Sequence, residues 1–174
     1  IKQPLLVVDP FIKQLDFFKQ LLISLKQSNI SIFCFDNFKS NPDLKDINNG
    51  INIINNDNFD AVIALGGGSA IDVAKTLALV AKQSRPLWDF EDVDNNYLRA
   101  NKSKILPLIA IPTTAGTGSE VSRAAVISDP VSKTKRLIFH PQMLASHVIL
   151  DPMTTITVPQ NLTAATAFDA LAHN

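Results

Sequence analysis

Three short stretches of this chain concentrate residues that could do chemistry. The first is Gly66-Gly67-Gly68-Ser69, the head of GGGSAIDVAK from Gly66 to Lys75. Glycines let a backbone come close to a ligand, and a helix starting near Ser69 would offer unpaired N–H groups and a partial positive end to a phosphate. The alternative is a tight strand-to-helix turn with Ser69 as N-cap. Three consecutive glycines exceed what such a turn needs and favour a phosphate. The motif matches neither standard phosphate fingerprint. Lys75 is too far along for a P-loop, and the GxGxxG loop normally follows the first strand of its unit, whereas this one follows the third apolar run. The second stretch is IPTTAGTGSEVS, Ile111 to Ser122, with the hydroxyls of Thr113, Thr114, Thr117 and Ser119 spaced by Gly116 and Gly118. Alone, it fits a ligand loop and a solvated surface loop equally. The third is Asp169-Ala170-Leu171-Ala172-His173. On a helix this spacing sets carboxylate and imidazole on one face, where they could grip a metal ion from one side. Such pairs are more often surface ion pairs, and a closed site needs about two further ligands. His140 and His147 read as ordinary surface or strand histidines.

Elements that could position these residues alternate along the chain. Pro4 to Val8, Ile30 to Phe35, Asp60 to Leu65 and Leu106 to Ile111 are apolar runs of strand length. Between them, Phe11, Leu15, Phe18, Leu22 and Leu25 recur at helical spacing, with Asp9 as N-cap and Pro10 at the first helical position. Asp43 to Asn56 reads as a helix, and so do the apolar positions from Ile71 to Ala81. Strands alternating with helices imply an α/β fold, a Rossmann-like, doubly wound parallel sheet. Ser84 to Lys104 reads as a long surface connection. Val121 to Ile127 and Arg136 to Phe139 suggest a strand pair, His147 to Leu150 a further short strand, and a final helix begins near Asn161. Open α/β sheets bind ligands beyond the carboxyl ends of their strands, so the glycine and hydroxyl loops should open onto one crevice.

Composition narrows the classes. The chain has 174 residues, sixteen basic and sixteen acidic, so its net charge is zero, and 46% are hydrophobic. That supports a folded domain and argues against disorder. Neutral charge without a basic block argues against nucleic acid or an anionic membrane surface as partner. No apolar run reaches the roughly eighteen residues of a membrane span. Cys34 is the only cysteine, set in an apolar run as a buried core residue; with no signal-peptide pattern, this suggests the reducing cytoplasm.

Taken in order, the motifs resemble the metal-dependent, iron-containing alcohol dehydrogenase family. The likeness rests on LLVVDP (Leu5 to Pro10), SNP (Ser40 to Pro42), GGGSAIDVAK, IPTTAGTGSE, AVISD (Ala125 to Asp129), ILDP (Ile149 to Pro152) and LTAATAFDALAH (Leu162 to His173). It implies a dinucleotide-binding domain over 1–160, of the type shared with dehydroquinate synthase, and at 161–174 the start of a helical metal-binding domain. It also implies a nicotinamide cofactor with its pyrophosphate on Gly67, Gly68 and Ser69. Asp72 of the same motif joins the cofactor set, with Thr113, Thr114 and Thr117 of the hydroxyl loop. Lys135 is expected near the nicotinamide ribose and Asn41 near the adenosine. Asp9 at the end of the first strand could accept hydrogen bonds from the adenine-ribose hydroxyls and repel a 2′-phosphate, so NAD is expected over NADP. Asp169 and His173 are implied as two ligands of Fe²⁺, with Zn²⁺ the alternative, for hydride transfer between an alcohol or aldehyde and nicotinamide. The intact protein is expected to be a homo-oligomer.

The resemblance has departures. Ala167-Phe168 stands where the family usually has Gly-Met, adding bulk beside the ligand helix. Family members are about twice this long, so a chain running from Ile1 to Asn174 reads as a cut through a larger fold, and alone it should neither hold iron tightly nor turn over alcohol. Glycerol dehydrogenase-like or dehydroquinate synthase-like relatives share the glycine loop, and a non-catalytic nucleotide-binding fragment is a further alternative. TTAGTGSE speaks against the synthase.

Overall fold

The computed structural model of the chain describes residues 1–173; Asn174, the last residue of the expected metal-domain start, lies outside them. The apolar runs pair as strands β1 (Pro4–Val8), β2 (Phe33–Phe35), β3 (Ala61–Gly66), β4 (Leu108–Pro112) and, after a hairpin of β5 (Ala124–Asp129) and β6 (Thr134–Phe139), β7 (His147–Val148). The main sheet is parallel throughout, in the order β2-β1-β3-β4-β7. β1 sits between β2 and β3, with Leu5 opposite both Phe33 and Val62. β1 and β3 are buried along their whole length, which is why PLLVV and AVIALG are continuous apolar runs instead of alternating ones.

Successive side chains of β1 feed two cores on opposite faces of the sheet. Leu6 and Val8 meet Ile63, Leu65 and Phe18 of helix α1 (Asp16–Gln27). Leu5 and Val7 meet Ile47 of α2 (Leu44–Asn56) and Ile71 and Leu77 of α3 (Gly68–Val80). With helices on both faces the sheet is doubly wound. Each fully buried Leu or Ile in these layers contributes about 1.5–3 kcal/mol relative to an exposed one. The β5–β6 hairpin adds Ala125, Ile127 and Ile138 to the α2–α3 side. A last helix, α4 (Gln160–Ala172), has no fully buried residue.

Several elements differ from expectation, each for a physical reason. Asp9 does not cap α1, which begins at Asp16 behind Leu15. Instead its carboxylate accepts from Phe11 N at 2.9 Å, and its carbonyl from Ile12 N, closing a local Asx-type turn ahead of a single 3-10 turn. Ser69 is not an N-cap either: α3 starts two residues earlier than that cap would allow, at Gly68, with Gly67 in the cap position. The second strand shrinks to Phe33–Phe35 because only those residues reach β1 at the sheet edge. The Ser84–Lys104 connection is not purely superficial. It forms three 3-10 turns that bury Leu87, Phe90 and Ala100, and it clamps the hairpin. There Asp92 N donates to Leu137 O at 2.7 Å, and Arg136 pairs with Glu91 and Asp129 while its guanidinium lies 4.4 Å from the centre of the Trp88 ring. Cys34 is half-buried, at the margin of the α1 core. His140 is fully buried, not a surface histidine. Its Nδ1 accepts from Gln142 N at 3.0 Å, and Nε2 has no partner among the described residues.

Candidate functional site

The chain leaves β1 toward β2 on one side and returns to β3 on the other, so the sheet's topological switch point lies between β1 and β3. A crevice of about 570 Å³ opens there, beyond the carboxyl ends of β1, β3 and β4. Asp9 enters it from β1, Gly67, Gly68 and Ser69 from the β3–α3 junction, and Thr113, Thr114 and Thr117 from the loop after β4. The glycine and hydroxyl loops therefore share one cleft. Phe38, Lys39 and Ser40 line it on the β2 side, and Pro159, Leu162 and Thr166 close it from α4.

The donors for a phosphate stand at the start of α3. Its first intrahelical bond at this end is Ile71 N to Gly67 O, so the N–H groups of Gly68, Ser69 and Ala70 precede the helical ladder. Among the described residues no side chain caps them. The Ser69 hydroxyl turns away to donate to Ser40 O, tying the glycine loop to the segment after β2. What faces the crevice is a row of backbone donors with the positive end of a helix behind it, and that arrangement suits a phosphate oxygen.

The loops are also interlocked. A Cβ at Gly68 would lie 2.9 Å from Thr117 Cγ2, so only glycine lets the hydroxyl loop close onto α3 at this point. Thr117 Oγ1 accepts from Ser119 N at 3.2 Å, which shapes the loop from within. On the far side a Cβ at Gly116 would stand 2.5 Å from Thr166 O, so the same loop lies against the backbone of α4. Glycine composition thus reflects close backbone packing as well as room for a ligand.

Three expected cofactor residues do not line the crevice. The Asp72 carboxylate accepts from Ser119 Oγ at 2.6 Å and from Val126 N at 3.0 Å, because its turn of α3 faces the hairpin. Lys135 stands on β6 opposite Ser128, exposed. Asn41 is exposed beside the lining residue Ser40. Sequence reasoning missed the contributions of Lys39, Thr154, Thr157 and α4 to the walls, for which spacing gave no signal. It also passed over Lys75, whose signal was a lone cation on a largely apolar helix, one turn after Asp72. Lys75 is fully buried and donates to Ser119 Oγ at 3.1 Å and to Ala124 O at 2.7 Å. Burial pulls its pKa down to about 8, against the opposing influence of Asp72 and Glu120. Burial likewise pushes the Asp72 carboxyl up, partly offset by its bonds to Ser119 and Val126.

Asp169 and His173 share one face of α4, with Asp169 Oδ1 and His173 Nε2 3.5 Å apart. This oxygen and nitrogen pair fits two ligands of a divalent cation. Among the described residues no third His, Cys, Asp or Glu joins them. No helix among these residues is long and apolar enough to cross a membrane.

A parallel sheet with helices on both faces and a glycine-led helix start at its switch point defines a doubly wound α/β domain. The relatives place it more narrowly. The chain belongs to the iron-containing alcohol dehydrogenase family, whose sequence profile matches residues 1–152. It is 37% identical over 172 residues to alcohol dehydrogenase 4 of Schizosaccharomyces pombe, covering 99% of this chain and 40% of that protein. The fold superposes on a crystal structure of 1,3-propanediol oxidoreductase with a TM-score of 0.89 at 31% identity, covering 99% of this chain and 44% of the other. It also superposes on sulfoacetaldehyde reductase from Bifidobacterium kashiwanohense in complex with NAD+, with a TM-score of 0.84 at 32% identity, covering 97% and 43%. The chain therefore spans about two fifths of the length of the relatives it matches.

Proposed function

We propose that residues 1–160 bind NAD(H) as the cofactor half of a metal-assisted, NAD-linked alcohol dehydrogenase or aldehyde reductase, and that 161–174 begin its helical metal-binding domain. The observation that carries this reading is the uncapped start of α3, whose first-turn N–H groups meet a crevice of dinucleotide scale. The pyrophosphate lies on Gly67, Gly68 and Ser69, and the hydroxyls of Thr113, Thr114 and Thr117 hold the central part of the cofactor. Asn41 borders the adenosine end. Lys135 reaches the nicotinamide ribose only if the cofactor or a further segment draws β6 toward the cleft.

Asp9 faces the adenosine-side ribose and sets the preference for NAD. Its carboxylate accepts hydroxyl protons and repels a 2′-phosphate. Asp169 and His173 supply two ligands to Fe²⁺, or to Zn²⁺, since an oxygen and an imidazole nitrogen accept either. When bound, the cofactor exchanges a hydride with the substrate carbon while the metal polarises the substrate oxygen. This chain's residues fix the dinucleotide, exclude water from its phosphates and hold α4 against the hydroxyl loop. A small alcohol or aldehyde as substrate, assembly as a homo-oligomer and a cytoplasmic setting complete the proposal.

Fluorescence titration with NADH and NADPH tests it. NADH should bind more tightly than NADPH by about tenfold or more, and Asp9→Asn, which keeps the Asx-type turn, should shrink that ratio by about tenfold, or 1.4 kcal/mol. Equal binding of both nucleotides by the unaltered protein removes the ribose role of Asp9. Binding of neither removes the nucleotide reading.

A further inference from the structure

Behind the crevice lies a buried polar cluster whose members do not themselves line the cleft. Lys75, fully buried on α3, donates to Ser119 Oγ at 3.1 Å and to Ala124 O at 2.7 Å. Ser119 Oγ donates in turn to Asp72 Oδ1 at 2.6 Å, and the other Asp72 oxygen accepts from Val126 N at 3.0 Å. The cluster therefore joins three elements: α3, which carries the glycine-led start; the end of the hydroxyl loop at Ser119; and β5. Through Ser119 N it reaches Thr117 Oγ1, the hydroxyl that packs on Gly68. Burying a lysine and an aspartate is costly, and a purely structural tie between a helix and a loop could be made with apolar contacts.

We propose that Lys75 is a positioning residue for the cofactor loop, acting through Ser119 to hold Thr117 and Thr114 over the start of α3. It touches neither cofactor nor substrate. The ammonium fixes the Ser119 oxygen from one side while Asp72 takes the hydroxyl proton on the other, so Ser119 has one orientation. The hydroxyl loop is anchored at that point on the same helix that receives the phosphate. The inference rests on the nucleotide reading above and adds to it a group that controls the shape of the site.

Three charged groups bear on this device: Lys75 and Asp72 on α3, and Glu120 next to Ser119, whose charge also favours the ammonium. With the lysine titrating at about 8, its proton is lost in a range where nucleotide binding can still be measured. Stability runs the other way. The folded value lies below the ordinary 10.5, so the unfolded chain holds the extra proton between the two, and this group's contribution to stability rises with pH through that window. Weaker binding there is not unfolding.

The test follows NADH affinity by fluorescence from pH 6.5 to 9 in the protein and in Ser119→Ala and Ser119→Thr, with the melting temperature recorded for each. In the unaltered protein, affinity should fall as pH rises past about 8. Ser119→Ala should bind about tenfold more weakly at pH 7, the loss expected when a charge-assisted anchor is removed, and should lose the pH dependence. Ser119→Thr, which keeps the hydroxyl, should restore both affinity and pH profile. If Ser119→Ala stays folded and binds with the affinity and pH profile of the unaltered protein, the positioning role is wrong while the nucleotide reading stands. If the unaltered protein binds no NADH, both are wrong.

Discussion

The α2 and α3 helices pack side by side on one face of the sheet, yet their N-termini are finished in opposite ways. At α2, Asp43 accepts from Lys45 N at 2.8 Å and from Asp46 N at 3.2 Å, and Asp46 reaches back to Asp43 N at 3.1 Å. This reciprocal capping box satisfies the helix start from within. At α3 the cap position is Gly67, and no side chain answers the first-turn donors. A helix that only holds the fold satisfies its own end. One whose end stays open on a cleft has donors left for a ligand, and the glycines leave room for its close approach.

The two helix starts become alike if α3 is given a cap of its own. Gly67→Asp can do this, because the extended backbone at Gly67 suits any residue and its new Cβ meets only the Thr114 side chain, at 3.3 Å. NADH affinity should fall on the order of 100-fold, as the carboxylate takes the donors and repels phosphate. Stability should change by no more than a few tenths of a kcal/mol. Titration and thermal melting of one sample check both, and unchanged NADH binding removes the phosphate from α3.

The converse substitution removes the cap of α2. Asp43→Ala should cost about 1 kcal/mol and lower the melting temperature by about 2–4 °C, with NADH binding unchanged. Lys39 beside Asp43, with the first-turn N–H groups, holds its carboxyl below the ordinary value of 3.8. The contribution of the cap is thus full above that value and fades as pH falls toward the folded one. Acid titration of Asp43→Ala against the unaltered protein should therefore close the stability gap only at low pH.

The smallest effect belongs to His140, which does not line the crevice. Burial, aided by Lys102, holds its pKa below 6.5, so it is neutral in the fold. Stability is whole above 6.5 and declines as pH falls below it, because the unfolded chain takes up the proton first. His140→Gln should flatten that decline in melting curves between pH 5 and 7, with no effect on nucleotide binding.

Sequence reading found the sheet and the two loops that open on the crevice, for reasons visible in particular residues. Strands buried on both faces leave unbroken apolar runs, and Leu5 to Val8 or Ala61 to Leu65 can be read as little else. The two loops declared themselves through glycine and threonine at strand ends. Asp9-Pro10 misled because a helix cap and an Asx-type turn use the same side chain on the same backbone N–H; only the later break before Asp16 separates them. Single 3-10 turns have no period, so the buried Leu87 and Phe90 were invisible within a charged stretch. The tie from Lys75 to Ser119 joins residues 44 positions apart, and no local pattern encodes it.

The placement of β1 bears on how the chain is made. It lies inside the sheet, and Val8 must wait for Leu65 before its inner edge is paired, a longer interval than separates β3 from β4 or β4 from β7. At about 5–20 residues per second, synthesis leaves that apolar edge open for several seconds, far longer than collapse of a short chain takes. Before β3 emerges, the three-residue β2 can pair with its other edge. The strand that delivers Asp9 to the cleft therefore carries an apolar edge open to intermolecular pairing during synthesis, and chaperones that cover it should raise the yield of folded protein.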